Sequence, residues 1–321
     1  MNADIFCDMG RYMNMNAIKR CLGYVEIKTK ITSVFTFLMT LAYLHSSGKG
    51  IDAVRTLVFF CGMFFFDLTT TTINNYVDTK KNHQTLQFSR HTAILITIML
   101  FMLSTALGLY LSYLTDIVVL LLGGLCFLFG ILYSYGPVPI SHGPYGEIVS
   151  GFFYGMLIPI ILVYINTPAG ELLSYSLADG KFSFELNIMP AIGLLLLSAV
   201  PFSLTANIML ANNICDISHD ILVNRHTLPF YLKKNSLLLF AAFYYFAYLS
   251  VVVMVIMTFI SPLSLLLLIS LFPVQRNINK FYKKQVKEET FILAIKNFVI
   301  IISLHIILIF LGSLLPGWGP Q

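Results

Sequence analysis

The strongest constraint in this sequence is a series of apolar runs too long for a water-soluble core. Nine of them, at about residues 28–47, 53–73, 92–114, 117–135, 147–166, 188–211, 236–258, 261–275 and 291–313, are separated by short polar stretches. Most approach or exceed the roughly 18–20 residues that carry a helix across a bilayer. They are continuous blocks, not alternating segments, which selects helices over a membrane barrel. Only 11% of the 321 residues are charged, against about 25% in a soluble domain. A soluble enzyme, a disordered chain and a disulfide scaffold are thereby excluded. The eighth run is short and opens at Ser261-Pro262, which predicts a tight hairpin partner for the seventh. The expected fold is all-α, a polytopic membrane bundle of about nine transmembrane helices.

Loop charge orients the bundle. With the N-terminus inside, the tail and the loops after the second, sixth and eighth runs hold 16 basic residues, whereas the outer loops hold Lys49, Arg55 and Lys181. This positive-inside bias places the N-terminus in the cytoplasm and predicts a multi-pass cell-membrane protein. It also accounts for the net charge of +5 without a nucleic-acid partner. Residues 1–24 read as a polar tail without the apolar core of a cleavable signal. No loop is long enough for a soluble domain, so residues 25–315 are expected to form one membrane domain. The outer segment 167–187, with Glu171, Asp179 and Glu185, reads as a short amphipathic cover. The five cysteines are odd in number and lack paired spacing, which argues against disulfides or a zinc site.

One pattern occurs twice. Asn74-Asn75-Tyr76-Val77-Asp78-Thr79-Lys80-Lys81-Asn82 follows the second run, and Asn212-Asn213-Ile214-Cys215-Asp216-Ile217-Ser218-His219-Asp220 follows the sixth. Each reads N-N-x-x-D-x-x-x-[N/D]. Helical periodicity sets Asn74, Asp78 and Asn82 on one face, and Asn212, Asp216 and Asp220 on another. Asn and Asp also commonly end helices as caps and turns, but two matching copies in so charge-poor a chain ask for more. Carboxylate and amide oxygens suit a hard cation, and Mg²⁺ is usually held by one or two carboxylates with substrate phosphates. Two such faces opposed across a central cavity, open near the cytoplasmic side, would hold a diphosphate between two metal ions.

Several further residues fit that chemistry. Arg225, in Arg225-His226-Thr227-Leu228-Pro229, stands five residues beyond Asp220 and can fork onto phosphate oxygens. Lys80 is a weaker candidate of the same kind. Asp67 lies inside the second run, where a carboxylate is costly and turns to a partner or a cavity. Glu147 can favour a helix start or orient an acceptor. Tyr76 and Tyr133, near the cytoplasmic mouth, can flank a carbocation.

The paired motifs, the Arg-His-Thr-Leu-Pro stretch and the nine runs resemble the UbiA superfamily of intramembrane prenyltransferases. The phrases Val25-Glu26-Ile27-Lys28-Thr29-Lys30 and Thr71-Thr72-Ile73-Asn74-Asn75-Tyr76-Val77-Asp78, and Gly136-Pro137 followed by Gly146-Glu147, resemble its 1,4-dihydroxy-2-naphthoate polyprenyltransferase branch. The resemblance covers about residues 20–315. It implies an enzyme that joins a polyprenyl chain from polyprenyl diphosphate to an aromatic quinone precursor in menaquinone synthesis, with loss of CO₂. It implies Mg²⁺ on Asn74, Asp78 and Asn82, and a second Mg²⁺ on Asn212, Asp216 and Asp220. Arg225, Lys80 and Lys28 would neutralise the diphosphate, and membrane lipid would surround the donor's tail. Asn82, Asn213, Cys215 and Ser141 depart from the residues usual in the superfamily. Another acceptor, such as 4-hydroxybenzoate, stays open. An ion-coupled transporter would need its carboxylates near mid-membrane, whereas Asp78, Asp216 and Asp220 sit at run ends.

Overall fold

The computed structural model describes residues 17–81, 86–136, 139–178 and 180–318, and they are predominantly helical. In chain order they form α1 (Ala17–Tyr24), a 3-10 turn (Ile27–Lys30), α2 (Ile31–Ser46), α3 (Ala53–Lys81), α4 (Arg90–Leu114), α5 (Ile117–Ser134) and α6 (Gly146–Asn166). A hairpin of β1 (Leu173–Ala178) and β2 (Lys181–Leu186) follows. The chain continues as α7 (Ile188–Leu222), α8 (Leu228–Leu232), α9 (Asn235–Ile256), a 3-10 stretch (Pro262–Ser270), α10 (Leu271–Lys283) and α11 (Phe291–Gly312). Among the described residues, seven helices are long and apolar enough to cross a membrane: α3, α4, α5, α6, α7, α9 and α11. The first apolar run gives the 16-residue α2, and the eighth gives the 3-10 stretch that runs into α10, so these two fall short of that criterion.

Local chemistry starts and turns these rods. The Ser89 hydroxyl accepts from the Thr92 amide at the head of α4, and the Asp116 carboxylate from the Val118 and Val119 amides at the head of α5. Thr258 (φ 60°) takes a left-handed turn after α9, and the Ser261 hydroxyl caps the stretch beyond it. The Tyr248 and Ser270 hydroxyls then bond at 2.7 Å, as the expected hairpin between the seventh and eighth runs requires.

The outer segment differs from the expected amphipathic cover in kind: it is an antiparallel β-hairpin. Leu173 and Tyr175 pair with Leu186 and Phe184 on one face, and Ser174 and Ser176 pair with Glu185 and Ser183 on the other. That period of two, closed at Gly180 (φ 70°), was written in the sequence. The tail also ends in structure, because residues 17–24 are helical and Tyr24 is fully buried.

The chain divides into two compact units, residues 1–34 with 57–142, and residues 35–56 with 143–321. In the first, α4 and α5 leave Met99, Met102, Tyr113 and Leu121 exposed, as lipid-facing helices do. The second holds a continuous apolar core, in which Leu197, Leu204, Phe240, Tyr244, Phe281 and Phe298 are almost wholly buried. There α6 passes through a π-helical segment, Gly151–Leu157, directly against α7. A Cβ on Gly155 would lie 2.2 Å from the Phe202 backbone, so only glycine lets the two main chains meet here.

Candidate functional site

Each copy of the repeated pattern rides on a helix that outruns its apolar part. At ~1.5 Å per residue, the 29 residues of α3 and the 35 of α7 span about 44 and 52 Å, beyond a hydrocarbon layer of roughly 30 Å. The motif residues therefore stand on continuous helix, as far as Lys81 in the first copy and through Asp220 in the second.

In the first unit, Asn75 donates its amide to the Tyr24 carbonyl at 2.9 Å. The Tyr24 hydroxyl in turn reaches the Thr72 and Ala93 carbonyls at 3.2 and 3.3 Å and the Thr97 hydroxyl at 3.3 Å. Burial raises this phenol above the usual tyrosine value, which keeps its proton in place for those bonds. Asn74 accepts from the Ser134 hydroxyl at 3.0 Å and keeps a second lone pair on that oxygen. Tyr133 lies next to Ser134 on α5 and is half-buried. The Arg90 guanidinium sits 5.3 Å over the Tyr76 ring and also donates to the Tyr76 carbonyl. Asp78 is half-buried and has no ion-pair partner among the described residues. The Lys80 side chain and Asn82 lie outside the described residues.

The structure also places Lys28 and Asp67. Lys28 is exposed, and the basic residue that turns inward is Lys30. Glu26 takes a left-handed conformation (φ 47°) just before the 3-10 turn, and that conformation decides which lysine faces in. Lys30 donates to Asp67 Oδ1 at 2.7 Å, to the Asp67 carbonyl at 3.0 Å and to the Thr71 hydroxyl, while Ser33 donates to Asp67 Oδ2 at 2.6 Å. Lys30 and Asp67 are each only 4% exposed. Both oxygens of Asp67 are thus engaged by Lys30 and Ser33, which ties the 3-10 turn and the start of α2 to α3.

In the second unit, the Asn213 amide donates to Glu147 Oε1 at 2.9 Å. Glu147 is fully buried, and its Oε2 and the Asn213 Oδ1 have no hydrogen-bond partner among the described residues. Asn212, one residue earlier, is half-buried. Asp216 is paired with Lys287, and Asp220, 3% exposed, lies 3.6 Å from the Arg225 guanidinium. The Thr227 hydroxyl donates to Asp220 Oδ2 at 3.3 Å, and the Arg225 amide to the Asp220 carbonyl at 2.8 Å. Asn224 (φ 59°) makes the turn that folds this stretch back onto the helix end. Arg225 therefore rests on a motif carboxylate.

Among the described residues, no group of three or more His, Cys, Asp or Glu side chains is gathered to hold a metal. The donors at the second end nevertheless suit a divalent cation. They are all oxygens, and both carboxylates have drawn cationic side chains to themselves. Sequence reasoning missed Lys30, the tethering role of Asn75 and Asn213, and Lys287. Asn213, Asp216 and Asp220 stand at i, i+3 and i+7, a spacing that could have flagged Asn213. Lys287 is 71 residues from its partner and gave no local signal.

Comparison with known proteins decides the family. The model of the UbiA prenyltransferase family matches residues 33–313. The chain belongs to the UbiA prenyltransferase family. A 1,4-dihydroxy-2-naphthoate octaprenyltransferase of Bacillus subtilis (strain 168) is 25% identical over 215 residues, spanning 63% of this chain and 62% of that relative. Among solved structures, a digeranylgeranylglyceryl phosphate synthase is similar with a TM-score of 0.62 at 18% identity, covering 93% of this chain and 99% of its own. A UbiA homologue from Archaeoglobus fulgidus, solved with DMAPP and Mg²⁺, gives 0.59 at 15% identity, covering 91% and 98%. These likenesses establish the fold, a multi-pass helical membrane protein of the UbiA type.

Proposed function

We propose that the chain transfers a polyprenyl group from polyprenyl diphosphate to an aromatic acceptor, with Mg²⁺, and that the acceptor is 1,4-dihydroxy-2-naphthoate in menaquinone biosynthesis. The observation that carries this reading is the twofold N-N-x-x-D-x-x-x-[N/D] pattern on overlong membrane helices of a UbiA-family chain. The naphthoate acceptor draws support from the Bacillus subtilis relative, and Mg²⁺ from the Archaeoglobus fulgidus structure. Residues 25–315 act as one prenyltransferase domain behind the tail of residues 1–24. The 16-to-3 split of basic residues favours a cytoplasmic N-terminus and cytoplasmic motif loops.

Asn74, Asp78 and Asn82 would hold one Mg²⁺, and Asn212, Asp216 and Asp220 a second. Bound there, the ions supply Lewis-acid stabilisation of the departing diphosphate. Lys28, Lys80 and Arg225 add positive charge to the phosphate oxygens. As the allylic C–O bond breaks, Tyr76 and Tyr133 present ring faces to the carbocation. A carbon of the electron-rich acceptor forms the new C–C bond and loses its carboxylate as CO₂. Glu147 helps to orient that acceptor. The donor's tail stays in lipid, and nucleic acid has no part.

Mass spectrometry of products formed from naphthoate and benzoate acceptors, with and without Mg²⁺, tests this directly. Prenylated, decarboxylated naphthoate that appears only with Mg²⁺ is expected. Exclusive prenylation of 4-hydroxybenzoate would move the acceptor assignment, and product formation independent of divalent cations would overturn the metal assignment.

A further inference from the structure

The second unit carries a cation that the proposed reaction has not used. The segment after α10, residues 284–290, is braced within itself. Lys284 bonds both Glu289 carboxylate oxygens at 2.6 and 2.7 Å, and the Val286 amide donates to the Thr290 hydroxyl at 2.9 Å. From this brace Lys287 projects to Asp216 on α7 and donates to its Oδ2.

The pair is open to exchange. The Lys287 side chain is 47% exposed and that of Asp216 22%, whereas Lys30 and Asp67 are sealed at 4% each. A half-exposed ion pair is worth little and re-forms at little cost. A buried one cannot be opened without stranding a charge. Asp216 is also a residue that a divalent cation needs, and an ammonium and a divalent cation repel each other on one carboxylate. A cation binding to Asp216 must therefore displace Lys287. The freed ammonium then stands beside the cation with three donors and no acceptor of its own, the chemistry that takes phosphate oxygens.

We infer that Lys287 is an exchangeable counter-ion: it neutralises Asp216 while the site is empty, and passes to the anionic diphosphate group when a divalent cation takes Asp216. This rests on the reading of the chain as a diphosphate-using prenyltransferase. Lys287 then acts with opposite sign on the two ligands, as a competitor of the metal and a partner of the diphosphate. A merely structural lysine has no such double effect.

The test is made on the full chain in detergent or nanodiscs, with binding as the readout. Mn²⁺ alone is titrated by electron paramagnetic resonance, and inorganic pyrophosphate is titrated calorimetrically in the presence of Mg²⁺. Lys287→Ala is expected to tighten Mn²⁺ about two- to fivefold, the size of an exposed ion pair. The same variant is expected to weaken pyrophosphate roughly tenfold, the size of a charge-assisted hydrogen bond. Lys287→Arg should stay near the unaltered chain in both, and Lys284→Ala, in the same segment but paired with Glu289, should move neither. Lys287→Gln gives the same comparison if the alanine variant folds poorly. Equal weakening of both ligands, or no change in either, overturns the inference while leaving the prenyltransferase reading in place. An unaltered chain that binds neither Mn²⁺ nor pyrophosphate overturns both.

Discussion

The two motif ends share nine-residue spelling but not electrostatics. In each, the second asparagine is spent as a tether, Asn75 to the Tyr24 carbonyl and Asn213 to the Glu147 carboxylate. The carboxylates differ. Asp78 has no ion-pair partner among the described residues, whereas Asp216 and Asp220 are covered by Lys287 and Arg225. A repeated pattern thus fixes where oxygens stand on a helix but leaves their neutralisation to residues outside the pattern, one five residues on and one 71 residues away. Among the described residues the first end holds a carboxylate without an ion-pair partner, whereas the second would have to give up a cation to gain one.

The largest expected effect breaks the comparison outright. Stripping divalent cations with EDTA should abolish prenyl transfer, and Mg²⁺ should restore it; a rate that survives chelation would remove the shared task from both ends. Next, Asp78→Ala and Asp220→Ala should each lower turnover by ~10²–10³-fold, the scale of losing one electrostatic stabiliser of the leaving group. Normal turnover in either variant would make the two copies functionally unequal.

Smaller effects sharpen the contrast between sealed and exposed pairs. Lys30→Met should destabilise the protein by about 3–5 kcal/mol, because it strands Asp67 in the interior. Lys49→Met, which frees a half-exposed Glu171, should cost no more than about 1 kcal/mol. Thermal unfolding in detergent reads both, and equal shifts would deny Lys30–Asp67 its fastening role. The tethers come last. Asn213→Ala should cost about 1–3 kcal/mol by leaving Glu147 Oε1 unpaired, and Asn75→Ala about 1 kcal/mol, since its partner is a neutral carbonyl. A reversed order in the same unfolding experiment would show that the carbonyl tether, not the carboxylate one, is the costlier to lose.

What could be read in the sequence was local or periodic. The apolar runs announced their helices, and four-residue spacing put Asn74 with Asp78, and Asn212 with Asp216 and Asp220, on shared helix faces. The break before Pro262 announced the turn between α9 and the 3-10 stretch. What could not be read depended on a single backbone angle or on distance along the chain. The left-handed Glu26 turns Lys30 inward and leaves Lys28 outside. Lys287 meets Asp216 only after four intervening helical segments have packed. The hairpin at 173–186 is a different case, because its alternation was present and its acidic character drew the reading away.

The overlength of α3 and α7 carries a further consequence. Their polar ends are stiff posts continuous with the part anchored in lipid, so the oxygens at their tips need little ordering when an ion arrives. The same stiffness makes phase unforgiving. One residue inserted in α7 between Phe202 and Asp216 would swing the tip through about 100°, carrying both carboxylates off their shared bearing, whereas a surface loop would absorb it.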